Sequence, residues 1–117
     1  CGCSLFIATS KPQIFAEMIA NHFNLSDYFM EIVGSLENCG RKEKGRIIEY
    51  IIDNHNIDRK STYMVGDRKY DMLPAKENGI GTIAVTYGYG SYEELTDSEP
   101  QYLISSICDV LKVFSSN

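Results

Sequence analysis

The chain has 117 residues, 44% of them hydrophobic and 23% charged, which suits one small globular domain able to bury a core. Its net charge of −5 argues against a surface made for nucleic-acid polymers or anionic membranes. No apolar run approaches membrane-spanning length and no signal peptide is read at the start, so the expected location is cytoplasmic. Ser4-Leu5-Phe6-Ile7-Ala8 opens the pattern as a short apolar run, the signature of a strand buried on both faces. Thr9, Ser10, Lys11 and Pro12 follow. Ser10 with Gln13 reads as a capping box, and Pro12 suits a first helical turn. Ile14, Phe15, Met18, Ile19 and Phe23 then recur at helical spacing. The turn at Thr9-Ser10 has two readings. A helix N-terminus with a hydroxyl beside it is an anion site, or the two hydroxyls only cap the helix.

Residues 24–29 read as a connection and Met30-Glu31-Ile32-Val33-Gly34 as a short strand near a sheet edge. After a polar loop at residues 35–40, Arg41-Lys42-Glu43-Lys44 opens a helix striped by Ile47, Ile48, Ile51 and Ile52. Basic residues in a first turn oppose the helix dipole. They are either a solvated charge run or cations kept there to neutralise a phosphate or carboxylate. A turn at residues 56–61 leads to a strand at 62–65, which runs into Gly66-Asp67-Arg68-Lys69-Tyr70-Asp71. In an open α/β sheet, the loops after the carboxyl ends of strands hold the site. Two carboxylates there repel unless a positive charge separates them. Mg2+ suits such a pair, because it takes oxygen ligands and keeps several waters. The alternative is that each aspartate only caps or turns the chain.

Residues 71–78 read as a helix with Met72 and Ala75 inward, Pro74 in the first turn and Gly79 just past the end. Residues 82–85 form the next strand and Gly88-Tyr89-Gly90 a flexible loop. Ser91 with Glu94 makes a second capping box, Tyr102-Leu103-Ile104 a last edge strand, and Ile107, Val110, Leu111 and Phe114 line a closing helix. Cys1, Cys3, Cys39 and Cys108 match no zinc spacing and read as reduced structural or incidental thiols. The alternation predicts an α/β fold with parallel strands and right-handed crossovers. A hydroxyl at a helix start, a lysine and a carboxylate pair together are what binding a phosphoryl group requires.

On these residues the chain resembles the haloacid dehalogenase-like (HAD) hydrolase superfamily, in particular its phosphoglycolate phosphatase and 5′-nucleotidase-like branch. Ile7-Ala8-Thr9-Ser10-Lys11-Pro12 is similar to the family's second motif, where a Thr or Ser ends a strand and binds phosphate. Lys44 matches the third, the lysine that steadies phosphate and nucleophile, with Lys42 as a substitute two residues earlier. Val65-Gly66-Asp67-Arg68-Lys69-Tyr70-Asp71 matches the fourth, which binds Mg2+. Residues 75–80 and 85–90 resemble later family segments, so the likeness spans about residues 5–111.

The resemblance implies a Rossmann-like parallel sheet with helices on both faces. It also implies a hydrolase, a Mg-dependent phosphatase acting on a small phosphorylated substrate through an aspartyl-phosphate. Thr9 and the Ser10 backbone would bind the phosphate, Lys44 would stabilise charge, and Asp67 would hold the metal. Asp71 would be a ligand too, or would hold a water on the metal. The family's first motif, an Asp-x-Asp carrying nucleophile and general acid/base, has no counterpart: no Asp-x-Asp occurs and the first aspartate is Asp27. The helical cap is missing as well. The expectation is one partial core domain over residues 1–117, without its usual first strand, its cap or its nucleophile. The strands ending at Ala8 and Val65 would then have unpaired edges, open to self-association or to docking of a missing N-terminal segment. A rival is a non-catalytic HAD module used for binding. A receiver-type signalling domain fits less well, since it needs an acidic pair where this chain has Thr9-Ser10.

Overall fold

The computed structural model describes residues 4–36, 41, 43–106 and 109. The four cysteines, Lys42 and the apolar positions Ile107, Val110, Leu111 and Phe114 of the expected closing helix lie outside the described residues. The chain divides into two compact units, Cys1–Ile57 and Asp58–Asn117.

The first unit is built on two parallel strands, β1 (Phe6–Pro12) and β2 (Glu31–Ser35), joined through helix α1 (Gln13–His22) and followed by α2 (Lys44–His55). The stripe Ile47, Ile48, Ile51 and Ile52 on α2 is buried throughout. Ile47 and Ile51 pack with Val33, and Phe6, Ala8, Tyr50 and Ile57 close around them. Full burial of an isoleucine side chain contributes about 1.5–3 kcal/mol, which outweighs the unfavourable basic residues in the first turn of α2.

Two details differ from expectation here. β1 continues through Thr9 and Ser10 to Pro12, and the helix starts only at Gln13. Ser10 forms no cap, because Gln13 is engaged elsewhere. Its Oε1 accepts from the Gly34 amide at 2.7 Å, and its Nε2 donates to the Ile32 carbonyl at 2.8 Å. A ladder irregularity between Ala8 and Pro12 absorbs the extra residues. The second difference is on α1. Its buried residues are Ala16 and Ala20, while Ile14, Phe15, Met18, Ile19 and Phe23 are all exposed. The small alanines let the helix lie close to the sheet, which turns the large apolar side chains outward.

The second unit is a three-stranded parallel sheet in the order β3 (Tyr63–Gly66), β4 (Gly81–Val85), β5 (Tyr102–Ile104). The central strand β4 is buried from Thr82 to Val85, as a strand covered on both faces must be. Met72 of α3 (Lys69–Glu77), Ala84 and Leu95 of α4 (Tyr92–Asp97) form its core. α3 begins two residues earlier than the pattern suggests, so Pro74 falls in its second turn rather than its first. Met72 and Ala75 point inward as expected, and Gly79 takes the left-handed conformation at φ 74° that ends the helix. β5 pairs with β4 alone and is the edge strand it was expected to be. No helix among the described residues is long and apolar enough to cross a membrane.

Candidate functional site

In the first unit, Lys44 reaches the middle of β1, next to Thr9. Lys44, the first residue of α2, is 36 positions from Ala8 in sequence. Its Nζ donates to the Ala8 carbonyl oxygen at 3.1 Å. Its ammonium therefore lies at the residue next to Thr9, partly buried. The Thr9 Oγ1 accepts from the Lys11 amide at 3.2 Å. Ser10 is exposed beside it. The first turn of α2 lacks any acidic residue, and its N-cap Glu43 makes no side-chain cap. The lysine that opposes the helix dipole is thus held by a strand carbonyl rather than left in solvent. A shallow apolar depression of about 590 Å³ on α1, lined by Met18, Ile19, Asn21, His22 and Phe23, contains none of these residues.

In the second unit, Asp67 sits on the loop after β3 and Asp71 in the first turn of α3, each fixed by backbone. Asp67 Oδ2 accepts from the Tyr89 amide at 2.8 Å. Asp71 Oδ2 accepts from the Arg68 amide at 3.4 Å, and the Asp71 amide donates to the Arg68 carbonyl at 3.0 Å. Asp71 thus caps its own helix, as one of the two readings of the sequence had it. The packing explains two glycines. A Cβ at Gly66 would lie 2.4 Å from the Asp71 side chain, and one at Gly90 would lie 2.0 Å from the Asp67 carbonyl oxygen. Neither space admits a side chain.

Three further residues shape this loop. Arg68 donates from Nε to Glu94 Oε2 at 2.9 Å and from Nη2 to Glu94 Oε1 at 3.2 Å. The Lys69 amide donates to Glu94 Oε2 at 3.0 Å. Arg68 and this amide hold the Glu94 carboxyl below the usual glutamate range, and Glu94 in turn raises the Arg68 guanidinium. The Arg68 guanidinium also lies 5.0 Å from the Tyr70 ring centre. The Ser91–Glu94 capping box is half formed. Ser91 Oγ accepts from the Glu94 amide at 3.0 Å, but the Glu94 carboxylate reaches Arg68 instead of the helix start. Sequence reasoning passed over Arg68, Tyr89 and Glu94 as site residues. The available signal was strand order: β3 and β4 are parallel neighbours, so the loops after them lie side by side.

Asp67, on the loop after β3, and Asp71, in the first turn of α3, offer oxygen donors only, which suits a hard divalent cation that takes oxygen ligands and keeps several waters. Softer or nitrogen-preferring metals are not matched, and no cluster of three or more His, Cys, Asp or Glu side chains occurs among the described residues.

Parallel strands alternating with helices in both units define an α/β fold of Rossmann-like type. The chain belongs to the haloacid dehalogenase-like hydrolase family, whose profile matches residues 1–85. It is 35% identical over 99% of its length to a 5′-nucleotidase of Pseudomonas aeruginosa, and covers 52% of that protein. It is 30% identical to a phosphoglycolate phosphatase of Vibrio vulnificus, over 96% of this chain and 49% of the relative. Among solved structures, a predicted phosphatase from Clostridium acetobutylicum superposes with a TM-score of 0.91 at 39% identity, over 99% of this chain and 54% of that one. The chain spans about half the length of the curated relatives it matches.

Proposed function

We propose that these residues belong to a Mg2+-dependent phosphatase that hydrolyses a small phosphomonoester through an aspartyl-phosphate, in the manner of a phosphoglycolate phosphatase or 5′-nucleotidase. The observation that carries the reading is the Lys44 ammonium bonded to Ala8, next to Thr9 on the same strand. A lysine bonded across 36 positions to the residue before Thr9 suits a phosphate dianion better than any structural need of α2. In this reading the Thr9 hydroxyl and the Ser10 backbone bind the phosphate oxygens. Lys44 offsets the charge that gathers as the nucleophile attacks. Asp67 holds the cation, and Asp71 orders the loop and either ligates the metal or holds one of its waters. Bound Mg2+ would neutralise phosphate charge. The attacking carboxylate would form the phosphoenzyme, which water then hydrolyses.

No residue of this sequence is assigned as nucleophile, since it contains no Asp-x-Asp. The 117 residues are therefore one partial core domain of this phosphatase and are inactive by themselves, because loss of a nucleophile removes most of the rate. Among the described residues β1 has its ladder on β2 and β3 has its ladder on β4, which leaves each with an edge to offer to a second copy or to a segment carrying the Asp-x-Asp strand.

The test is Mg2+-dependent hydrolysis of p-nitrophenyl phosphate by the chain alone and by the chain supplied with a segment bearing an Asp-x-Asp strand. Activity only in the second sample supports the reading. Hydrolysis by the rigorously pure chain overturns the statement that it lacks its nucleophile. Inactivity in both, with no Mg2+-induced rise in melting temperature, favours the non-catalytic module.

A further inference from the structure

We infer that Glu94 is a positioning residue for the cation-binding loop, setting Asp67 and Asp71 through its grip on Arg68 and the Lys69 amide. The inference rests on the reading of that loop as a Mg2+ site. Glu94 receives three hydrogen bonds from two consecutive loop residues, Arg68 Nε, Arg68 Nη2 and the Lys69 amide, at 2.9, 3.2 and 3.0 Å. The first of those residues follows Asp67 directly. Its amide is the group that Asp71 accepts from. Movement of Arg68 therefore displaces both carboxylates together.

Glu94 is itself well anchored. Its amide is held by Ser91 Oγ, and the next residue, Leu95, is fully buried against Met72 and Ala84. The Glu94 side chain is only 19% exposed. A glutamate serving helix α4 alone would turn back to the helix start. This one leaves its helix and bonds a loop 26 positions away. The two-pronged arginine–carboxylate geometry fixes orientation as well as distance.

The arrangement carries an electrostatic cost that identifies its purpose. A guanidinium next to Asp67 repels any cation bound there. If charge alone mattered, removing Arg68 would strengthen Mg2+ binding. If the pair positions the carboxylates, removing either member weakens it. The sign of the Arg68 variant therefore separates the two accounts.

Mg2+ is titrated into the full 117-residue chain while the Tyr89 amide, which donates to Asp67, is followed by NMR. Glu94→Gln and Arg68→Gln are each expected to raise the Mg2+ dissociation constant about tenfold or more. Glu93→Gln, which removes the same charge from the same exposed turn, is expected to leave it nearly unchanged. Tighter binding by R68Q overturns the inference and leaves the magnesium reading intact, as does equal weakening by E93Q and E94Q. A wild-type chain whose Tyr89 amide shows no saturable response overturns the magnesium reading and this inference with it. If E94Q loses its dispersed amide spectrum, the sign of R68Q decides alone.

Discussion

The paired-aspartate loop has almost no spare volume. Gly90 is buried, and a methyl group there would overlap the Asp67 carbonyl oxygen at 2.0 Å. That neighbour is backbone, so it yields only if the loop moves. Gly90→Ala should therefore cost about 1–3 kcal/mol of stability and pull the Tyr89 amide away from Asp67. A lowered urea midpoint together with loss of protection at the Tyr89 amide checks both parts, and an unchanged midpoint contradicts the packing argument. At this scale the sequence was informative about which residue types could serve phosphate or cation chemistry and silent about what fixes them. Asp67 and Asp71 stand out because two carboxylates lie four positions apart, and Lys44 because it is a cation in the first turn of a helix. Tyr89 contributes a backbone N–H, which any residue carries, and Glu94 sits in a pattern that fully explains it as a cap. Their roles depend on contacts 22 and 26 positions away, which no local window contains.

Helix α2 is the best-defined element of the first unit, since its four isoleucines are periodic in sequence and buried in the fold. At the border of that core, around Tyr50, lies a polar network. The Tyr50 hydroxyl donates to Glu31 Oε2 at 2.9 Å, His55 Nε2 lies 2.7 Å from Glu31 Oε1, and the Arg41 guanidinium stands 4.3 Å from the Tyr50 ring centre. The bond to Glu31 raises the Tyr50 phenol above the usual tyrosine range, with burial adding to it. A group whose folded pKa is raised stabilises the fold below its unfolded value, about 10 for tyrosine, and loses that contribution as pH rises through the folded value. Tyr50→Phe is thus expected to lose about 1 kcal/mol at neutral pH and to show a shallower alkaline decline. Urea midpoints from pH 7 to about 11 test this, and parallel curves for the two proteins contradict it. Elements without such reinforcement were harder to delimit. α3 starts early because Asp71 satisfies the Arg68 amide, and arginine is not a residue that announces a helix start. β1 runs long because Gln13, which completes a local capping pattern, is drawn instead to β2.

At the scale of the whole chain, the alternating pattern identified an α/β fold with parallel ladders, and every ladder between the described strands is parallel. What periodicity could not convey is which edges are satisfied, because an edge depends on the strand beside it. Among the described strands β1 and β3 each carry one ladder; β1 holds Thr9 and β3 runs into Asp67. Unprotected edges recruit further strands. Sedimentation velocity over a concentration series is expected to show reversible self-association that an added Asp-x-Asp strand suppresses. A single monomeric species at every concentration contradicts the open-edge reading.

The strand registers carry a further consequence, for the order in which the molecule is made. Phe6 lies opposite Glu31, Tyr63 opposite Gly81, and Ile83 opposite Tyr102. Each pairing waits for only about 20 residues of intervening chain, little more than one crossover helix and its turns. Closing loops of that size costs little more than closing shorter ones, since the entropy grows only with the logarithm of length. At ribosomal speeds of about 5–20 residues per second, each ladder has its second strand within seconds of its first. The β1–β2 pair can therefore set its register while the stretch that carries Asp67 is still being translated.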